Sequence, residues 1–226
     1  MRKAVKYWVN AKDISKVKLF LIKHLPILEV AQKRSEAIDF EFYNQNLNQY
    51  HNFISSVYFD NDQFDSYSTR MKRLQGSQLY RVRWYGGNVS KDTLLPIPNN
   101  EDNVYMEIKT HTEEWTGDQS TKERFPIDLK LLTAYLGNVI SAEETFKIMQ
   151  VQGKMKKADA GKHLALAQTT QQSMVRRGMH PVIRSVYHRT AFQLSDSNEV
   201  PPAYNNNYTY LYIYIYIYIC IYTLQE

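Results

Sequence analysis

The sequence predicts an α+β fold in which helices flank an antiparallel β-sheet. Apolar and polar residues alternate with a period of two over 78–85, 104–111 and 121–127, as expected of strands that bury one face. The period becomes that of helices over 128–177, and β character returns at 181–194. Strands followed by a block of helices and a further strand are typical of an α+β domain.

The N-terminal part is predicted to contain a strand, a helix and a second strand. Residues 4–9 have the pattern of a short strand, and Asp13 or Ser15 can cap a helix that extends to Pro26. After a polar stretch, residues 53–59 form the next predicted strand. The chain is therefore expected to open with a strand and a helix before the main run of strands.

Turns, a short helix and loops separate the remaining strands. The Asp-Asn-Asp sequence at 60–62 is turn-prone, and a short basic helix is predicted at 63–73. Gly86-Gly87 and the segment 96–103 mark loops between the later strands. These breaks give the predicted strands the short connections that an antiparallel sheet requires.

The C-terminal segment differs in kind from the residues before it. From Tyr210 to Tyr222, tyrosine, replaced once by Cys220, alternates with leucine or isoleucine and no charged residue occurs. This pattern is β-prone and aggregation-prone, and its regular phenol groups make a membrane anchor a poor alternative. A translated dinucleotide repeat would produce it. We therefore expect a domain at 1–195 and a low-complexity tail at 196–226 outside the fold.

The composition supports a folded domain with anionic partners. Of 226 residues, 43% are hydrophobic, and Lys plus Arg outnumber Asp plus Glu by 28 to 23, which gives a net charge of +5. Cys220 is the single cysteine, which excludes an internal disulfide and favours a reducing, cytosol-facing location. The first residues do not resemble a secretory signal, and no uncharged run before the tail is long enough for a membrane span.

One predicted strand places two arginines on the same face. Because side chains alternate along a strand, Arg81 and Arg83 project from one side, whereas Tyr80, Val82 and Trp84 project from the other. The first face is suited to bind phosphate, and the second is suited to form a core.

The next strand repeats this arrangement. Glu107 and Lys109 project from one face, whereas Val104, Met106 and Ile108 project from the other. The same reasoning yields five further candidate phosphate-binding side chains: Lys6, Lys122, Arg124, Tyr187 and Arg189.

For any single pair of these cations, a solvated strand face is a sufficient explanation. When several strands show the same pattern, a binding site for an anion becomes the favoured explanation. Cations that point inward from different strands repel one another unless a polyanion lies between them. A tunnel for phosphate groups, walled by the sheet, would supply that polyanion. The sequence has neither a P-loop nor a convincing nucleophile triad, so a phosphate site would depend on these cations.

Glu107 is the one candidate metal ligand. A hard divalent cation could be shared between this carboxylate and bound phosphates. A salt bridge to Lys109 or to another neighbouring cation is the alternative. The histidines His111 and His188 lack the companion spacing of a zinc site, so structural roles are favoured for them.

These residues lie in segments that resemble the VTC domain, the polyphosphate polymerase domain of the vacuolar transporter chaperone complex, which has the triphosphate tunnel fold. The matching blocks occur in the family's order: KAVKYWV at 3–9, SVYFDND at 56–62, YRVRWYGG at 80–87, EIKTHTEEWTG at 107–117, STKERF at 120–125 and PVIRSVYHRTAFQ at 181–193. The resemblance covers residues 3 to about 195.

The resemblance implies a polymerase that transfers the γ-phosphate of ATP to a growing polyphosphate chain inside a β-walled tunnel, with Mn²⁺ or Mg²⁺. The family's phosphate-binding positions correspond to Lys6, Arg81, Arg83, Lys109, Lys122, Tyr187 and Arg189. We assign Tyr187 and Arg124 to substrate binding and the other cations to catalysis. Phosphoryl transfer depends on positioning and on cations that neutralise developing charge, which suits such a site.

The resemblance also implies partners and a location. ATP or polyphosphate and other VTC subunits are the expected partners, at the cytosolic face of the vacuole or of an acidocalcisome-like membrane. Family members often carry an SPX domain, which senses inositol pyrophosphates, and membrane helices, and neither is in this sequence. We expect the chain as it stands to be soluble and to meet a membrane only through partner subunits or missing segments.

The sequence departs from the family pattern after residue 195. Val200-Pro201-Pro202 and an Asn-rich run stand where a further basic strand is expected, and the later strands with a metal-binding glutamate and a tunnel lysine are missing. Ile108 also replaces a residue that is usually arginine. We therefore expect an incomplete, C-terminally truncated β-tunnel that binds phosphate chains but does not synthesise polyphosphate.

Two other functions stay open at this stage. A non-catalytic accessory subunit, or an inactive fragment, would bind polyphosphate without turnover. Nucleic-acid binding through basic strands with aromatic residues is the weaker alternative, because no RNP or cold-shock pattern is present. We expect no nucleic-acid partner.

Overall fold

The structure is a computed structural model of the chain. It describes residues 7–25, 53–86, 88–89, 96–98, 103–112, 120–193 and 212–223. The predicted strand at 4–9 is not found over residues 7–9, and residues 4–6 lie outside the described residues. A strand needs a partner for its backbone groups, and Tyr7 and Trp8 are instead 83% and 100% exposed.

The predicted N-terminal helix is confirmed, although it is shorter than expected. A 3₁₀ turn at Ala11–Asp13 leads into helix α1 at Ile14–Ile22. Asp13 is the N-cap residue of α1, as expected, but its carboxylate makes no capping hydrogen bond and pairs with Lys16 at 2.9 Å instead. Asn10 caps the preceding 3₁₀ turn by accepting a hydrogen bond from the Lys12 amide. A short polar side chain directly before a first turn can accept a hydrogen bond from a free amide of that turn, and Asn10 has this position before the 3₁₀ turn.

The centre of the fold is an antiparallel sheet of six strands. The strands of the large sheet are β1 (Phe53–Asp60), β2 (Gln78–Tyr85), β5 (Asn103–Thr110), β6 (Thr121–Asp128), β7 (His180–Gln193) and β8 (Tyr212–Thr223), and those of a small second sheet are β3 (Asn88–Val89) and β4 (Pro96–Ile97). The order across the large sheet is β6-β5-β2-β1-β7-β8. The predicted α+β class and antiparallel sheet are confirmed, and among the described residues the sheet is open, with β6 and β8 at its edges.

The register of four strands builds one continuous apolar row. Val57 lies opposite Val82, which lies opposite Met106, which in turn lies opposite Phe125. Directly paired residues of antiparallel strands share a face, so this row marks the core side of the sheet. Val82, Met106 and Phe125 are buried there, as the alternation in the sequence predicts.

A turn and a short helix connect β1 to β2. Helix α2 spans Asp65–Met71, within the basic helix predicted at 63–73. The buried Asp60 carboxylate accepts hydrogen bonds from the amides of Ser66 and Tyr67 at 2.9 and 2.8 Å. These bonds satisfy amides at the start of α2 that have no partner within the helix.

Three further helices follow β6. Their bounds are Leu129–Leu136 for α3, Ala142–Val151 for α4 and Lys157–Arg176 for α5. Ser141 and Glu144 form a reciprocal capping box at the start of α4. None of the helices that the structure describes is long and apolar enough to cross a membrane.

These helices pack on the apolar face of the sheet. Phe125 of β6 contacts Tyr135 of α3 and Phe146 of α4 edge-on, with ring centroids 6.0 and 6.1 Å apart. The Tyr135 hydroxyl donates a hydrogen bond of 2.6 Å to the Ala167 carbonyl of α5. The helical block therefore lies on the side away from the predicted cations.

The tail contributes a strand to the sheet. We expected residues 196–226 to lie outside the fold, whereas the backbone of β8 pairs with β7 from Ile183–Thr223 to Gln193–Tyr212. Alternating β-branched and aromatic residues favour an extended backbone, and β7 offers an edge to pair with. The domain boundary near residue 195 stays a prediction.

Candidate functional site

One face of the sheet carries the predicted cations in adjacent rows. In the first row, Tyr58 lies opposite Arg81, Arg81 opposite Glu107, and Glu107 opposite Arg124. The row runs across β1, β2, β5 and β6. Because paired residues share a face, these four side chains project from the side opposite the apolar core.

The flanking rows add the other members of the set. On one side Lys109 pairs with Lys122, and on the other Ser56 pairs with Arg83, which pairs with Tyr105. We name the surface formed by these rows the cationic face. Its four central cations are Arg81, Arg83, Lys109 and Lys122.

The buried Glu107 side chain lies at the centre of the cationic face. It has no solvent exposure. Its Oε2 atom accepts two hydrogen bonds from Arg81, one from Nε at 2.8 Å and one from Nη2, and lies 4.0 Å from Nη1 of Arg83. Its Oε1 atom lies 3.2 Å from the Lys122 ammonium. A single carboxylate therefore holds three cations from two neighbouring strands.

Glu107 and Arg81 shift each other's pKa. Burial, the largest single influence, raises the pKa of Glu107, but the hydrogen bond from Arg81 and the surrounding cations outweigh it and hold the pKa below its ordinary value. Burial likewise lowers the pKa of Arg81, whereas its bonds to Glu107 and Tyr58 raise the pKa on balance. Both side chains therefore stay charged at neutral pH.

Lys109 shows how crowded the cations are. Burial lowers the pKa of Lys109, and the positive charges of Arg81, Arg83 and Lys122 lower it further, to about 8 from an ordinary value of 10.5. The Glu107 carboxylate raises the pKa of Lys109, but by less than burial and the three cations lower it. Positive charge thus exceeds negative charge at this point of the sheet.

Arg83 links β2 to β1 and β7. Its Nε atom donates a hydrogen bond of 2.9 Å to the Ser56 hydroxyl, and its guanidinium lies 5.8 Å from the centre of the Tyr187 ring. Tyr187 is 9% exposed, so the predicted substrate-binding tyrosine holds an arginine through its ring. Arg189 stands two residues further along β7 and therefore projects from the same face.

The solvent side of the cationic face is formed by β6. Almost half of the Lys122 side chain is exposed, and the exposed Arg124 guanidinium lies 5.0 Å from the centre of the Tyr105 ring. These two cations are the most accessible to a large anion. Lys6 lies outside the described residues, so its predicted role stays a prediction.

Two residues of the cationic face were missed by the sequence analysis. Ser56 receives Arg83, and the Tyr58 hydroxyl accepts a hydrogen bond of 3.2 Å from Arg81 Nη1. Both lie in the SVYFDND block, where Val57 and Phe59 alternate with them. That alternation could have placed Ser56 and Tyr58 on the cationic face. They were missed because their hydroxyl groups are neutral, and the search was for charged side chains.

Glu107 does not fit the role of a metal ligand. Both of its oxygens face cations, and among the described residues no three His, Cys, Asp or Glu side chains lie close enough to hold a metal. A divalent cation would be repelled by the arginines and lysines around this carboxylate. The salt-bridge alternative therefore describes Glu107, with Arg81 and Lys122 as its partners instead of Lys109.

A cavity of about 250 Å³ lies on the opposite, helix-covered face. Tyr80, Ile108, Glu123 and Thr170 are among its lining residues. Tyr80 pairs with Ile108 and Ile108 with Glu123 across the sheet, which places all three on the core side. This cavity is therefore separate from the cationic face.

Comparisons with known proteins agree on one family. The VTC domain model matches residues 1–201. Vacuolar transporter chaperone complex subunit 4 of Schizosaccharomyces pombe is 34% identical over 207 residues, which are 92% of this chain and 26% of that protein. The same subunit of Trypanosoma brucei brucei is 33% identical over 196 residues, 85% of this chain and 23% of that protein.

A second subunit type is also similar. Vacuolar transporter chaperone complex subunit 2 of Schizosaccharomyces pombe is 25% identical over 199 residues, 88% of this chain and 24% of that protein. The chain spans about a quarter of the length of the curated relatives it matches. With its family model matched over most of its length, the chain belongs to the VTC domain family.

Proposed function

We propose that this chain binds linear phosphate chains, such as polyphosphate or the triphosphate of ATP, on the cationic face. The observation that carries the proposal is the crowding of Arg81, Arg83, Lys109 and Lys122 around one carboxylate. Such an excess of positive charge destabilises the free protein unless an anion compensates it. A phosphate chain is an anion whose repeated charges match rows of cations.

The arrangement of the cations favours a chain over a single phosphate. Lys109 and Lys122 are direct cross-strand partners, and Arg124 follows Lys122 by two residues on the same face. Cross-strand partners are separated by about 5 Å and alternate residues of a strand by roughly 7 Å. An extended ligand with several charges can contact all three cations at once.

The specific reaction that we propose is based on membership of the VTC domain family. We propose that intact relatives use this face to transfer the γ-phosphate of ATP to polyphosphate, and that Mn²⁺ or Mg²⁺ accompanies the phosphates, because hard divalent cations bind phosphate oxygens. The relatives are named as subunits of a vacuolar complex. We propose that this chain assembles with other VTC subunits at the vacuole or a related organelle.

A non-catalytic role is the second candidate. It is compatible with the similarity of the chain to both subunit 4 and subunit 2, whose matches cover 92% and 88% of this chain. In that role the cationic face would hold polyphosphate without turnover. Binding is common to both roles, so it is the property to test first.

Calorimetric titration with tripolyphosphate tests the proposal. Lys122→Glu reverses an accessible charge of the cationic face and should weaken binding by about tenfold or more, because an attraction becomes a repulsion. Lys162→Glu makes the same change on α5, on the other side of the sheet, and is the matched control. Equal affinities for the two variants and the unmodified protein would contradict the proposal.

A further inference from the structure

Glu107 has the contacts of a bound anion. Its two oxygens are held by Arg81 and Lys122, Arg83 is 4.0 Å away, and the side chain has no solvent exposure. We propose that Glu107 is an internal counter-anion that stabilises the ligand-free cationic face and, by the same charge, limits its affinity for phosphate chains. This inference rests on the proposed function, because it concerns the regulation of that site.

The donor nitrogens of Arg81 all have acceptors in the ligand-free protein. Its Nε and Nη2 atoms donate to Glu107, and its Nη1 atom donates to the Tyr58 hydroxyl. All three nitrogens therefore have a protein acceptor before any ligand binds. An incoming phosphate meets an arginine that Glu107 has already fixed in place and neutralised.

Glu107 and a bound phosphate would compete for Lys122. This ammonium is 3.2 Å from Glu107 Oε1, yet almost half of its side chain is exposed to solvent. A phosphate that approaches from solvent can contact the same ammonium from its open side. Glu107 repels that phosphate, because like charges at short range disfavour each other in a partly buried site.

The contribution of Glu107 to stability depends on whether a ligand is bound. A buried carboxylate among four cations stabilises the free protein, since unpaired buried charges are costly. When a polyanion binds, it supplies the negative charge itself, and the contribution of Glu107 becomes less favourable. Removal of the charge should therefore lower stability in the absence of ligand and raise affinity for the ligand.

The test compares two charge-neutral variants. Glu107→Gln keeps the shape of the side chain and removes its charge, whereas Glu123→Gln makes the same change at an exposed residue of β6 that projects from the opposite face. Binding of tripolyphosphate is measured by calorimetry at a pH below the pKa of Lys109, and thermal unfolding is measured without ligand.

Opposite effects on stability and affinity are expected. Glu107→Gln should unfold at a lower temperature without ligand and bind tripolyphosphate about tenfold more tightly, while Glu123→Gln changes neither quantity by a comparable amount. A residue with a structural role alone would lower both. Unchanged or weaker binding by a folded Glu107→Gln protein would therefore overturn the inference.

Two other outcomes are also decisive. If the unmodified protein does not bind tripolyphosphate, the proposed function fails and the inference fails with it, whereas normal binding without a gain in Glu107→Gln overturns the inference alone. If Glu107→Gln is unfolded without ligand, tripolyphosphate should restore its circular dichroism spectrum, because the ligand replaces the missing charge. A protein that stays unfolded would contradict the inference.

Discussion

Lys109 is the residue at which the electrostatics of the cationic face can be measured most simply. Burial and three neighbouring positive charges lower its pKa to about 8. An exposed lysine keeps its charge to about pH 10. A site that depends on Lys109 therefore changes its charge within an accessible range of pH.

We expect affinity for tripolyphosphate to fall as the pH rises through about 8, because Lys109 then loses the proton that attracts the ligand. Calorimetry at pH values on either side of this pKa measures the change. In Lys109→Met the residual binding should be weaker and this pH-dependent step should be absent. A step of the same size in the variant would assign the titration to another group.

The pH dependence of the stability of the folded chain has the opposite sign to that of its affinity for tripolyphosphate. The pKa of Lys109 is lower in the folded chain than in an unfolded one, so between about pH 8 and 10 the unfolded chain binds more protons. The contribution of Lys109 therefore makes the folded state more stable as the pH rises through that interval. Ligand binding and ligand-free stability should change in opposite directions there.

Alternation along the strands was enough to predict the four central cations of the cationic face, although Ser56 and Tyr58 were missed. It placed Arg81, Arg83, Lys109 and Lys122 on one side, as the register shows. It could not identify the partners of Glu107, because a salt bridge between strands depends on register, and register is not encoded in one strand alone. A metal and a salt bridge were therefore equally compatible with the sequence.

Strand β6 links the core to the cationic face. Phe125 faces the helices and is completely buried, whereas Lys122 and Arg124 project from the other side of the same strand. The contacts of Phe125 with Tyr135 and Phe146 hold against the helices the strand that carries both cations. Core packing and the proposed binding therefore depend on the same strand.

Phe125→Ala should destabilise the fold by about 3–5 kcal/mol, because it removes a large buried ring and leaves a cavity. Denaturant unfolding followed by circular dichroism measures this loss. Val151→Ala, at a side chain that is 90% exposed at the end of α4, is the control and should have little effect. Similar midpoints for the two variants would show that β6 is not held by this cluster.

The helices and strands differed in how well the sequence predicted them. The period of 3.6 over 128–177 indicated the helical block, which the structure divides into α3, α4 and α5. Residues 4–9 were predicted as a strand from their local pattern, but residues 7–9, the described part of that segment, pair with no described strand. β8 was expected outside the fold and pairs with β7. Pairing depends on a distant partner, which local patterns do not specify.

The open sheet affects what the chain can do with a bound phosphate. In the described residues β6 is an edge strand, and its cations Lys122 and Arg124 face solvent. Water raises the local dielectric constant and weakens the hold of each cation on developing negative charge. Binding tolerates this loss better than phosphoryl transfer, which depends on the strongest stabilisation in the transition state.

We therefore expect the chain as given to bind phosphate chains without synthesising polyphosphate. Purified protein is incubated with ATP and Mn²⁺, and the products are separated on a gel that resolves polyphosphate. Polyphosphate formed by the unmodified protein and lost in Lys109→Ala would contradict this expectation. It would show that the open face is sufficient for catalysis.

We propose that phosphate chains bind at Lys109 and Lys122, and competitive lysine acetylation followed by mass spectrometry measures the protection of each lysine by a bound phosphate chain. The lowered pKa of Lys109 leaves more of its amine unprotonated and reactive at pH 8 than for an ordinary lysine. With tripolyphosphate present, modification of Lys109 and Lys122 should fall while that of Lys162 on α5 stays the same. Equal modification of all three lysines with and without tripolyphosphate would contradict the claim.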